Sequence, residues 1–175
     1  IDGTIDFCPV YKPNLAFFER FGSKGYALLE RLVDHISGRA IVIADAKRGD
    51  IGNTSRQYAK GILETMGCDA ITISPYLGRD AIVPFIKNPD KGVFILAVTS
   101  NPSARELQEH GGGTNPLYKK VIQIAVELNT NDNIGLVVGA TQIEVMEDVR
   151  ERSKGMPWLV PGVGAQRGDL ETALN

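Results

Sequence analysis

The sequence predicts an α/β fold built on a parallel sheet covered by helices, and three observations carry that expectation. Short β-rich apolar runs alternate with longer amphipathic ones roughly six times along the 175 residues, at spacings that fit βα units. The apolar runs, such as Ile41-Val42-Ile43-Ala44 and Val93-Phe94-Ile95-Leu96, are nearly continuous, as suits strands buried on both faces. Polar residues gather just after these runs: Lys12, Asp45 with Lys47, Ser74, Thr99 with Ser100, and Gln166. Two architectures accommodate such units, a doubly wound open sheet and a (βα)8 barrel, and periodicity alone does not separate them. In a barrel every strand end faces one site, whereas in an open sheet only the loops near a switch point converge. Function spread over so many strand ends favours the barrel. A complete barrel takes about 250 residues and eight strands, so the expectation is a single partial TIM-barrel domain over 1–175, with about six of eight strands.

The elements follow in order. Strands are expected at Ile5 to Tyr11, Ala40 to Ala44, Ala70 to Ser74, Val93 to Val98, Ile134 to Val138 and Trp158 to Val160. Helices are expected at Leu15 to Phe21, Tyr26 to Ile36, Asn53 to Met66, Arg79 to Ile86, Leu117 to Leu128 and Gln142 to Arg152, with a start at Asp169. Leu28, Leu29, Leu32, Val33 and Ile36 recur at helical spacing. Asn53 or Thr54 is expected to cap its helix and Gly67 to end it. Phe17, Phe18 and Phe21 are expected to pack in the core.

Composition narrows the function. Nineteen basic residues against 21 acidic ones leave a net charge of -2, and no basic stripe with interleaved aromatics is present, so nucleic acid is not an expected partner. No signal peptide, long apolar span or lipidation motif occurs, which places the chain in the cytoplasm without a membrane partner. Cys8 and Cys68 are therefore expected as free thiols. The chain opens at Ile1 and stops at Asn175 within a helical pattern, and we expect a fragment. An open barrel exposes sheet edges, so such a fragment alone is expected to be inactive or to aggregate.

The run Asp45-Ala-Lys47-Arg48-Gly49-Asp50 carries the chemistry. Residues at i and i+2 of a strand point the same way, so Asp45 and Lys47 project together. An Asp-x-Lys-x-x-Asp pattern arises by chance in roughly one such chain in thirty, and a solvated loop would read the same in isolation. Context decides: the run directly follows a buried strand and continues Ile51-Gly52-Asn53-Thr54 into a helix.

The whole block from Asp45 to Thr54 resembles the signature of the orotidine 5'-phosphate decarboxylases, in the DAKRGDIGNT form of their bacterial branch. Tyr11-Lys12-Pro13-Asn14 through Glu19 is similar to the segment after that family's second strand. Thr99-Ser100-Asn101-Pro102 resembles its pyrimidine-contacting loop, and Pro161 through Asp169 resembles its loop after the seventh strand. The blocks stand in the family's order and span nearly the whole chain. The resemblance implies cofactor-independent decarboxylation of orotidine 5'-monophosphate to UMP, in de novo pyrimidine biosynthesis, with neither a metal nor another cofactor. It implies a catalytic network of Lys12, Asp45, Lys47 and Asp50. Thr54, Ser100 and Gln166 would bind substrate, Ser100 at the pyrimidine and Gln166 over the phosphate. Asp50 and Thr54 would reach into a neighbouring subunit's site, so a homodimer is implied. The family's first strand, with a ribose-contacting aspartate, would precede Ile1, and its eighth, with a phosphate-binding arginine, would follow Asn175.

This chemistry wants these residue types. Loss of carbon dioxide leaves a carbanion at C6 with no cofactor to delocalise it. An ammonium beside C6 attracts that charge and then protonates the carbon, a role expected of Lys47. Flanking carboxylates are expected to keep Lys12 and Lys47 protonated. Sugar-phosphate decarboxylases and synthases on the same barrel share the Asp-x-Lys-x-x-Asp run, but hold magnesium partly through an acidic residue where Lys12 stands. A lysine there repels a metal ion.

Other signals are weaker. His110-Gly111-Gly112-Gly113 has no Gly-x-Ser-x-Gly partner and reads as a loop. Gly162-x-Gly164 lacks the third glycine of a dinucleotide fingerprint. His35 and His110 have no metal-ligand spacing.

Overall fold

The computed structural model describes residues 1–112 and 114–163. Its backbone falls into two compact units, Ile1–Val93 and Phe94–Asn175.

In the first unit, β1 (Val10–Tyr11) leads through α1 (Ala16–Glu19) and α2 (Ser23–Ile36) to β2 (Ile41–Arg48). Next come α3 (Gly52–Ala59), which continues as a π-helical turn over Lys60–Thr65, then β3 (Ala70–Ile73) and α4 (Arg79–Ile82). Strands β1, β2 and β3 lie in chain order and pair in parallel, with Val10 opposite Ile41 and Ile43 opposite Ala70. Parallel pairing requires crossovers, and the helices supply them. Leu29, Val33 and Ile36 form the buried stripe of α2, at most 2% exposed, and Ile71 and Ile73 are as deeply buried in β3.

The second unit takes up β4 (Gly92–Val98) and continues with α5 (Ala104–Gln108), α6 (Leu117–Leu128), β5 (Ile134–Val138), α7 (Ile143–Arg152) and β6 (Trp158–Leu159). Strands β5 and β6 pair in parallel, with Leu136 opposite Trp158. All five residues of β5 are buried, which matches their unbroken apolar character.

Several expectations need correction. Of the strand expected at Ile5 to Tyr11 only Val10–Tyr11 forms, and residues 2–7 make turns: Thr4 and Ile5 N–H both donate to the Ile1 carbonyl, and Phe7 is 87% exposed. Thr4 Oγ1 also donates to the Ile1 carbonyl at 3.0 Å, a local side-chain bond that favours the turn over an extended chain. Strand β2 runs four residues past Ala44, carrying the charged run inside the strand. Helix α3 begins at Gly52 with Ile51 as its uncapped flank, so neither Asn53 nor Thr54 caps it. Gly67 ends the helical segment as expected, at φ +79°. Phe17 and Phe21 are 68% and 61% exposed and do not pack in the core. The short helix α5 was not anticipated. Cys68 is buried, Cys8 half-buried, and both thiols are free.

Candidate active site

Two backbone devices assemble the charged cluster in the first unit. After β1, the chain keeps running beside β2: Asp45 N–H donates to the Pro13 carbonyl at 2.9 Å and Leu15 N–H to the Asp45 carbonyl at 3.2 Å. Lys12 is thereby held next to Asp45. Along β2, the register with β3 slips between Ala44 and Arg48. Within that slip Lys47 adopts a left-handed backbone, φ +47°. A bulge of this kind re-aims side chains near functional sites.

The result is an alternating triad. Lys12 Nζ donates to Asp45 Oδ2 at 2.7 Å, and Lys47 Nζ donates to Asp45 Oδ1 at 2.5 Å. The Asp45 carboxylate is only 8% exposed, while the Lys12 and Lys47 side chains are 34% and 50% exposed. Burial works against the charge of Asp45, but hydrogen bonds and charge from Lys12 and Lys47 outweigh it and hold the carboxyl below its ordinary value of 3.8. A buried carboxylate thus anchors two ammonium groups whose outer faces stay accessible.

A residue missed by sequence reading completes the arrangement. Thr72 Oγ1, from β3, donates to Asp45 Oδ1 at 3.1 Å and accepts the N–H groups of Ala46 and Lys47. Its neighbour Arg48 turns away from the triad, pairing with Glu19, donating to the Ala46 carbonyl at 3.2 Å and lying over the Tyr58 ring.

Asp50 stands apart from the triad within the chain. Its Oδ1 accepts the Ile51 N–H at 2.7 Å, and among the described residues it forms no ion pair with Lys12 or Lys47. Thr54 is exposed on the first turn of α3. In the second unit, Ser100 follows β4 and lines a cleft of about 550 Å³ with Asn101, Pro102, Arg105, Thr141 and Gln142. Thr99 holds this loop through a reciprocal pair with Gln108, at 2.9 and 2.7 Å, and its carbonyl accepts from Gln142 Nε2 at 3.1 Å. Gly139 permits the approach of β5: a Cβ there would fall 2.7 Å from Ser100 N and 2.8 Å from Ser100 Cα. Gln166 lies outside the described residues. Among the described residues, no group of three His, Cys, Asp or Glu side chains is placed to hold a metal ion. No helix among them is long and apolar enough to cross a membrane.

Parallel βα units with polar side chains at the strand ends define the class, an incomplete (βα)8 barrel with six strands described. The chain belongs to the Orotidine 5'-phosphate decarboxylase / HUMPS family, which it matches over residues 6–173. It is 47% identical to the orotidine 5'-phosphate decarboxylase of Roseiflexus castenholzii, over 99% of this chain and 64% of that protein. The chain therefore spans about two thirds of that relative's length. The UMP synthase of Leishmania donovani superposes with a TM-score of 0.95 at 43% identity, covering 99% of this chain and 39% of that one. Orotidine 5'-monophosphate decarboxylase from Methanocaldococcus jannaschii, solved with the inhibitor BMP, matches at TM-score 0.78 and 26% identity, over 98% of this chain and 73% of that one.

Proposed function

We propose that the protein decarboxylates orotidine 5'-monophosphate to UMP in pyrimidine biosynthesis, using Lys12, Asp45, Lys47 and Asp50. One observation carries the reading: a buried Asp45 carboxylate within the parallel strand β2 bridges Lys12 and Lys47 at 2.7 and 2.5 Å. In the proposed step the bond from C6 to the carboxylate breaks and its electron pair stays on C6. Carbon dioxide leaves, and Lys47 Nζ delivers a proton to the carbon, becoming a neutral amine. Asp45 orients both ammonium groups and stands against the substrate carboxylate. One like-charge contact at about 4 Å is worth roughly 4 kcal/mol at an effective dielectric near 20. The largest enzymatic accelerations amount to about 23 kcal/mol, so repulsion alone is insufficient. Preorganised charge and binding energy from the remote phosphate supply the remainder.

Ser100 would meet the pyrimidine from the cleft it lines, and Gln166 would close over the phosphate. The proposal includes a cytoplasmic homodimer in which Asp50 and Thr54 complete the partner's site. Support for the dimer comes from the surface beside Asp50, where Ile51 is 60% exposed and Leu77, 46% exposed, lies against Gly49.

The test is Lys47→Ala in the full-length protein, assayed by release of carbon dioxide from orotidine 5'-monophosphate. Turnover is expected to fall by about 10³-fold or more, the upper part of the range for a removed proton donor. Near-normal turnover would refute the assignment. A second reading, metal-dependent chemistry on a hexulose phosphate, is disfavoured because Lys12 occupies Asp45 Oδ2 with an ammonium. Activity on the nucleotide that survives a chelator separates the two.

A further inference from the structure

We infer that Thr72 is the positioning residue of the proposed reaction, one hydroxyl setting both the Asp45 carboxylate and the backbone from which Lys47 projects. The inference rests on the decarboxylase reading above, and the hydrogen-bond count carries it.

Thr72 is 1% exposed within β3, and its bonds to Ala46 and Asp45 are buried while that from Lys47 is part-buried. A hydroxyl offers one proton and two lone pairs. Ala46 and Lys47 N–H donate to Thr72 Oγ1 at 3.0 and 2.9 Å, which occupies both lone pairs. The proton is left for Asp45 Oδ1 at 3.1 Å, and an ionised carboxylate can only accept, so the direction of the bond is settled. Asp45 Oδ1 then receives Thr72 and Lys47, while Oδ2 is left to Lys12. Both carboxylate oxygens are spoken for, and rotation of the group would break bonds at each.

The same oxygen governs Lys47. A left-handed conformation is uncommon for a residue with a Cβ, and Lys47 holds one at φ +47°. The slipped register takes its part-buried N–H off the regular ladder, where it needs another acceptor. Thr72 supplies the acceptor. Valine has threonine's shape but neither lone pairs nor proton, so it would release Asp45 and the Lys47 backbone together. Thr72 touches no reacting atom; it acts through Lys47 and Asp45.

The experiment compares Thr72→Val and Thr72→Ser in the full-length protein, with kinetics on orotidine 5'-monophosphate per folded active site and amide exchange at Ala46 and Lys47. A displacement of about 1 Å costs roughly 10²-fold in rate, so Thr72→Val should lose about that in kcat while KM stays within about threefold. Thr72→Ser keeps the hydroxyl and should restore kcat to within about threefold of the parent. The two amides should exchange faster in the valine variant and not in the serine one. Full kcat in Thr72→Val, failure of serine to rescue, or unchanged amide protection in Thr72→Val overturns the inference. If the parent protein itself fails to decarboxylate the nucleotide, the functional reading falls, and amide exchange still decides whether Thr72 holds the segment. Should the valine variant not fold, Thr72→Cys, whose thiol bonds weakly, carries the same comparison with an intermediate loss.

Discussion

Asp45 is where charge, burial and geometry meet, and its titration ties the site to stability. Its folded-state pKa lies below the ordinary value because two ammonium groups outweigh the cost of burial. A depressed carboxyl contributes stability above its unfolded pKa, about 3.9, and loses it as pH falls through the lower folded value. Denaturant midpoints of the parent protein should therefore drop more steeply below about pH 4 than those of Asp45→Asn. Near neutral pH, Asp45→Asn is expected to cost about 1–2 kcal/mol, less than a fully buried pair because both lysines are part exposed. Parallel acid limbs in the two proteins would contradict this account. Asp45 and Lys47 are visible in the sequence as charges directly after an apolar run, but that run alone reads equally as a solvated loop, and it is the family resemblance that joins Lys12 to them. Thr72 was not legible. Inside Ala70-Ile71-Thr72-Ile73 a threonine reads as another β-branched strand former, and only the slipped register turns its hydroxyl into a hub.

At the scale of elements, apolar periodicity located every strand within the described residues and missed some of their limits. Strand β2 outran its expected end because charged residues can continue a strand where a neighbouring strand still offers partners, as Arg48 does by accepting the Ser74 N–H at 2.7 Å. Phe17 and Phe21 failed as core residues since helical spacing indicates a shared face without saying what covers it. The approach of β5 to the Ser100 loop was equally invisible, because it depends on a missing side chain. Gly139→Ala would push a methyl into the Ser100 backbone, which has no flexible end to yield. We expect a loss of about 1–3 kcal/mol in thermal unfolding, the range for overpacking. On the proposed role of Ser100 at the pyrimidine, its displacement should raise KM for the nucleotide while kcat changes less. An unperturbed Tm together with an unchanged KM would show that the loop accommodates the methyl.

For the whole molecule, Asp50 is the residue that bears on assembly: it is half-buried and stands outside its own chain's triad. If each site takes Lys12, Asp45 and Lys47 from one subunit and Asp50 with Thr54 from the other, two inactive variants should complement one another. Consider Lys47→Ala mixed with Asp50→Ala. In a mixed dimer one site combines both defects, whereas the other draws an intact lysine from one subunit and an intact aspartate from its partner. Random exchange puts half of the dimers in the mixed state with one good site of two, so about one quarter of parent activity should return. Each variant alone should stay inactive, and recovery should require subunit exchange, so that it develops over the time of dissociation. If Asp50 served its own chain, a mixed dimer would contain two separately damaged sites and mixing would restore nothing. The size of the recovered activity, near one quarter or near zero, thus reads directly which subunit's carboxylate faces Lys47.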